Sequence, residues 1–139
     1  MSKVFLDTNI LVYSVDGNEP AKRDRARSLI RDLCDESRAA LSTQVLQEFY
    51  VVATTKLTIP SAAARVMLQA FAQFEVVIID PALIHEAANF SHLHQLSFWD
   101  ALIVASAARA NCGSLWTEDL NAGQSIGGVR VENPLAQDV

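Results

Sequence analysis

"VFLDTNILVYS", residues 4–14, runs an apolar stretch of strand length into a carboxylate and then starts a second apolar stretch at once. A buried, unpaired carboxylate costs several kcal/mol or else gives up its charge. Asp7 therefore either caps a helix or faces something positive. Residues 3–7 read as a strand, and 8–14 as a short helix with Thr8 or Asp7 at its N-cap.

The same alternation continues outward from this stretch. "DGNEP" at 16–20 is turn chemistry, and from 20 to 36 Ala26, Leu29, Ile30 and Leu33 recur at helical spacing opposite charges. "AALS" at 39–42 reads as a short buried strand, followed by helix from Thr43 to Lys56 and a further helix opened by Pro60. "EVVIID" at 75–80 is a third strand, stopped by Pro81. Helices over 81–94 and 99–111 follow, then strands at 113–119 and 129–134. Strands alternating with helices imply an α/β fold with a parallel sheet of four to five strands and helices on both faces. Ligands in such sheets bind beyond the carboxyl ends of the strands, where Asp7 and the acids of "TED" (117–119) lie.

With 139 residues, half of them hydrophobic, the chain is expected to form one domain, 1–139, around one core. Its longest apolar run, "ALIVASAA" at 101–108, is too short to span a bilayer, and the N-terminus does not read as a signal peptide. A cytoplasmic protein without membrane contact is expected. Cys34 and Cys112 lack neighbouring ligand partners and read as buried structural thiols. The net charge of −5 argues against a protein that coats nucleic acid, yet six of the 11 Lys and Arg fall between Lys22 and Arg38. Lys22, Arg23, Arg25 and Arg27 are candidates for guiding RNA. The competing reading is a solvated helix face, because Asp24, Asp32, Asp35 and Glu36 are interleaved with the basic residues.

Four acids stand where acids are uncommon. Asp7 and Asp119 sit at strand ends; Glu48 shares its helical arc with Val45, Val51 and Val52, and Asp100 with Ile103, Val104 and Ala107. Singly, Asp7 and Asp100 suit N-caps, Asp119 a loop, and Glu48 a buried arginine partner. Arg65 and Arg109 are the clearest basic candidates for pairing. Together the four are better explained by convergence on a shared cation. An all-oxygen site without His or Cys suits Mg²⁺ or Mn²⁺ rather than zinc, and phosphodiester hydrolysis is the chemistry indicated. One acid of the group should have a raised pKa when no cation is bound. Thr8, Asn9 and Thr117 are candidates for supporting the ligands, with capping and turn chemistry as the alternative. His85, His92 and His94 form no ligand set, and no serine-nucleophile elbow is present.

Four phrases, "FLDTNILVY", "LSTQVLQEF", "SFWDALIVASA" and "LWTEDL", carry a resemblance to the PIN-domain ribonucleases, and more closely to bacterial toxins of the VapC type. They run nearly end to end through the chain, in order. The resemblance implies a three-layer α/β/α sandwich around a twisted parallel sheet, and endonucleolytic cleavage of RNA at a Mg²⁺ or Mn²⁺ site. Carried over by position, its acids are Asp7, Glu48, Asp100 and Asp119, with Glu118 beside the last as an alternative. Asn9 and Thr117 match positions that commonly support the site. The resemblance also implies a homodimer and a cognate antitoxin lying over the acidic groove. A stand-alone RNA-processing nuclease and a catalytically inactive binding module of the same fold are the competing readings.

Overall fold

The computed structural model describes residues 2–136. Its elements, in chain order, are β1 (Lys3–Leu6), α1 (Thr8–Tyr13), α2 (Pro20–Asp35), β2 (Ala39–Ser42), α3 (Thr43–Thr55), α4 (Ser61–Phe71) and β3 (Glu75–Val77). They continue with α5 (Pro81–His94), α6 (Phe98–Arg109), β4 (Cys112–Trp116), β5 (Ser125–Ile126) and β6 (Val129–Glu132).

The sheet has the order β3-β2-β1-β4-β6-β5, and every pairing is parallel except β5 with β6. The five expected strands are present, and β5 is an addition that the sequence pattern did not signal. Two residues are too few to show alternation. The hairpin rests on Gly127 and Gly128, with φ of 58° and 84°. A two-residue turn with both central φ values positive matches the right-handed twist of paired strands. Gly127 also has no room for a side chain, because a Cβ there would lie 3.0 Å from the ring of Phe90.

Chain direction across the sheet explains the layers. From β1 the chain steps outward to β2 and β3, then returns past β1 to β4. Right-handed crossovers place helices on opposite faces for opposite directions of travel. Accordingly α1 packs on α2 and α3, and α3 on α4, while α5 and α6 pack together against the rest of the sheet. The point where direction reverses lies between β1 and β4. That is where a crevice opens in this class of sheet.

Two helices show why the boundaries fall where they do. Asp80 caps α5 by accepting from Leu83 N at 2.8 Å, Pro81 takes the first helical position, and Arg109 binds both Asp80 oxygens at 2.9 Å. These bonds hold Asp80 outside the sheet and end β3 at Val77, three residues before the expected end. In α6 every residue from Ala101 to Ala107 is buried. A helix apolar all round belongs between two layers, here α5 and the sheet. Its N-cap is Ser97, whose hydroxyl accepts from Asp100 N at 3.2 Å. Asp100 is therefore not the cap the sequence allowed for, and its carboxylate is left available.

Cys112 is buried as expected, and burial pushes its thiol up to about 11, which makes it inert. Cys34, expected to be buried, is exposed, because Ala26, Ile30 and Leu33 form the inward stripe of α2. Arg109 finds Asp80 and Glu86, whereas Arg65 turns back to the carbonyl of Ser61 in its own helix. Among the described residues no helix is long and apolar enough to cross a membrane.

Replacing Ser97 by Ala removes the cap of the helix that carries Asp100. It is expected to cost about 1 kcal/mol. In urea unfolding this appears as a lower midpoint with an unchanged slope.

Candidate active site

Asp7, Glu48, Asp100 and Asp119 line one open cleft of about 800 Å³ at the carboxyl edge of the sheet. Each comes from a different element: the residue after β1, the middle of α3, the first turn of α6 and the segment after β4. Asp7 and Asp119 flank the β1–β4 reversal point, and α3 and α6 bring Glu48 and Asp100 from opposite layers.

Asp7 is the organising residue. Its side chain is 6% exposed and caps α1, with Oδ1 accepting from Thr8 N at 2.7 Å. Its Oδ2 accepts from the Thr117 hydroxyl at 2.8 Å. Burial pushes its carboxyl up to about 6. The bonds from Thr117 and Thr8 act against that shift, and the negative charges of Asp119 and Glu48 add to it. Of the two alternatives raised by its sequence position, the structure shows the first: the carboxyl caps a helix, and no ion pair among the described residues includes it.

Around it runs a connected network. Thr117 is fully buried, and its hydroxyl accepts from Asn9 Nδ2 at 3.2 Å and from Asp119 N at 3.0 Å. Asn9 Nδ2 also donates to Asp119 Oδ2 at 3.1 Å. Thr8 donates its hydroxyl to Glu48 Oε1 at 2.8 Å. All three supporting candidates therefore touch at least one of the acids. The expected strand over 113–119 stops at Trp116; Thr117 stays buried with its N–H donating to Glu132 O, and Glu118 and Asp119 line the cleft.

Glu118 also lines the cleft, but its side chain is bonded outside this network. Its Oε1 accepts from the Tyr13 hydroxyl at 2.8 Å, and Lys22 Nζ lies 3.7 Å from Oε2 and 4.6 Å above the Tyr13 ring. Of the four basic candidates, only Lys22 places its side chain against residues that line the cleft, Tyr13 and Glu118. Arg23 pairs with Asp24, Arg25 donates to the carbonyl of Pro134, and Arg27 to that of Ser14. Of these three, only Arg23 pairs with an interleaved acid, while Arg25 and Arg27 are exposed on α2.

None of the ion pairs among the described residues includes Asp7, Glu48, Asp100 or Asp119. Nor do any three His, Cys, Asp or Glu side chains among the described residues form a ready-made cage for an ion. Mg²⁺ keeps several waters and takes only one or two carboxylates directly, so a loose, all-oxygen, unneutralised set fits it better than a closed cage would. The histidines take no part; all three are exposed on α5. Sequence reasoning missed Gln44, which lies one helical turn before Glu48 and also lines the cleft. It is 5% exposed, donates to the carbonyl of Trp99 at 3.4 Å, and its Oε1 has no partner. Only burial reveals it, since Gln at the start of a helix reads as surface.

Fold and cleft together define an α/β protein with a carboxylate-only site at the reversal point of its sheet. The PIN domain family model matches residues 4–124, and the chain belongs to that family. The fold is similar to that of VapC20 from Mycobacterium tuberculosis, a toxin that cleaves the sarcin-ricin loop, with a TM-score of 0.66, 18% identity and coverage of 84% of this chain and 92% of that one. It is likewise similar to VapBC2 from Rickettsia felis bound to promoter DNA, with a TM-score of 0.68, 23% identity and coverage of 94% and 97%. A third similar structure is DNA-bound VapBC from Salmonella typhimurium, with a TM-score of 0.69, 21% identity and coverage of 96% and 99%. Among curated proteins no sequence relative is found.

The raised Asp7 carboxyl has a consequence for stability. A group whose folded pKa lies above its unfolded value favours the fold while protonated, and that advantage is lost as pH rises through the folded pKa. Between the ordinary 3.8 and about 6 the parent therefore loses stability relative to Asp7→Asn, which does not titrate. At 1.36 kcal/mol per pKa unit the gap widens by about 2 kcal/mol between pH 4 and pH 7. Urea unfolding of both proteins across that range measures it; a gap independent of pH would show that Asp7 titrates normally.

Proposed function

We propose that the chain is a metal-dependent endoribonuclease, and that it is the toxin of a toxin–antitoxin pair. The observation that carries the catalytic reading is the convergence of four unpaired acids from four elements in one cleft. Asp7, Glu48, Asp100 and Asp119 would hold Mg²⁺ or Mn²⁺. When bound, such an ion supplies a water of lowered pKa and neutralises charge on the phosphate.

The chain's own residues do the rest. Thr117 and the Thr8 backbone fix both oxygens of Asp7, so the carboxylate meets its ligand without reorganising. Thr8 orients Glu48 and Asn9 orients Asp119 in the same way. The Asp7 proton held near pH 6 must leave before the site can neutralise a cation, so activity should fall below that pH. No histidine lines the cleft to activate a ribose 2′-hydroxyl. Cleavage should therefore leave a 3′-hydroxyl and a 5′-phosphate.

The toxin reading rests on likeness to the three structures above, two of which are complexes of the VapBC type. An antitoxin segment covering the acid-lined cleft would hold such an enzyme inactive. Co-expression with the product of a neighbouring gene, followed by loss of inhibition when that product is removed, tests this part by itself.

The catalytic part is tested with Asp100→Asn, which leaves the Ser97 cap in place. The variant should lose RNA cleavage in Mg²⁺ or Mn²⁺, and the parent should lose it in EDTA. Without metal the variant should melt at or above the parent's temperature, because one of several like charges has gone. Added Mn²⁺ should raise the parent's melting temperature by mass action and the variant's much less. Full activity in EDTA, or cyclic phosphate ends, would overturn the mechanism.

A further inference from the structure

The cleft has a direction along α3. Gln44, Glu48, Val52 and Lys56 recur every fourth residue from the start of α3 to its C-cap, and all four line the cleft. Twelve residues of helix rise about 18 Å, so the stripe is longer than one nucleotide is wide. An acid stands at its middle. A cation, Lys56, stands at its far end. At the near end the Gln44 side chain holds the backbone of Trp99, the residue before Asp100.

Trp99 is the unusual member of this row. Its side chain is 63% exposed at the rim of the cleft, with Phe98 packed edge-on against it at 5.2 Å between ring centroids. That exposure leaves much of the ring open to solvent. The Gln44 side chain that holds it is itself buried, and among the described residues its Oε1 has no hydrogen-bond partner. An aromatic ring, an acidic centre and a cation in a row suit a single nucleic-acid strand. Every base offers a π-face to stack, and the backbone offers phosphates to the cation.

We propose that this row is the binding track for unpaired RNA: Trp99 stacks one base beside the acids, and Lys56 takes a backbone phosphate at the other end of α3. The inference rests on the endoribonuclease reading and assigns two side chains of this chain, Trp99 and Lys56, to holding the strand. A duplex does not fit, because its bases are already stacked on one another and present no free face. Recognition by stacking is tolerant of sequence, so Trp99 contributes affinity and strand state rather than base identity.

The test uses a short unstructured RNA in EDTA, where binding is read without cleavage. Trp99 and Trp116 are the chain's two tryptophans. Stacking should quench the parent's fluorescence, and Trp99→Phe should lose most of that quenching while keeping most of the affinity, since a ring remains. Trp99→Ala should weaken binding about 10-fold. Lys56→Gln should lower the dependence of log K on log salt by about 0.7, the value of one phosphate contact on a single strand. The same RNA annealed to its complement should neither quench nor bind comparably. A parent that cleaves RNA while Trp99→Ala binds as tightly as the parent would overturn the track and leave the nuclease reading intact, assigning Trp99 to a protein contact instead. A parent that neither binds nor cleaves RNA would overturn both.

Discussion

The central constraint is a carboxylate that the fold buries but does not neutralise. Asp7 follows the middle strand of the sheet, between β2 and β4, where backbone from both sides closes around it. Two hydrogen bonds offset part of the desolvation, and the rest shows in a pKa of about 6. A protein selected for stability alone would place Asn or Ser at this cap, since either satisfies a helix N-terminus without a charge. Keeping the acid makes the site reactive toward cations and the fold less stable at neutral pH. Strain of this kind is retained at functional sites and compensated elsewhere.

Compensation comes from the elements that present the other acids. The fully buried middle of α6 anchors Asp100, and Phe49, the next residue after Glu48 on α3, is wholly buried in T-shaped contact with Phe71 and anchors that stretch of the helix. Ridges of small residues in α6, Ala101, Ala105 and Ala107 among them, let it pack closely between α5 and the sheet. The acids can then stand near one another because their backbones are held by packing that does not depend on them. The polar network of Thr8, Asn9 and Thr117 sets side-chain orientation upon that frame.

Much of this was legible in the sequence because period and punctuation agree. The strand–Asp–helix opening, the Pro81 boundary and the helical periodicity of 20–36 each have a local cause that no tertiary contact overrides. The four acids were legible because each breaks an apolar pattern. What escaped notice has no such local signature. β5 is too short for alternation and exists only because β6 lies beside it. Asp100 reads as a cap until the chain shows Ser97 already in that role. Glu118 and Asp119 are adjacent and alike in sequence; Tyr13 and Lys22, more than 90 residues earlier, are what turn Glu118 away. The basic cluster is only partly legible, because sequence does not show that Lys22 meets Glu118 while Arg25 and Arg27 hold backbone carbonyls. Gln44 was invisible for the opposite reason, since its significance lies in burial alone.

The dispersal of the acids has a further consequence. Asp7 and Glu48 belong to the first half of the chain, whose crossovers run one way across the sheet, and Asp100 and Asp119 to the second, after the direction has reversed. Neither half carries more than part of the set. The strands that join them, β1 and β4, pair at a separation of more than 100 residues, a contact whose loop-closure entropy must be offset before the cleft exists. An unfolded or half-folded chain therefore offers a cation only scattered carboxylates of ordinary affinity. Any ion the cleft holds is linked to the native state almost exclusively, and its binding free energy adds to the stability that the buried charge of Asp7 takes away. Under the proposed function, the site that destabilises the empty fold would, on binding a cation, also tie its two halves together at the carboxyl edge.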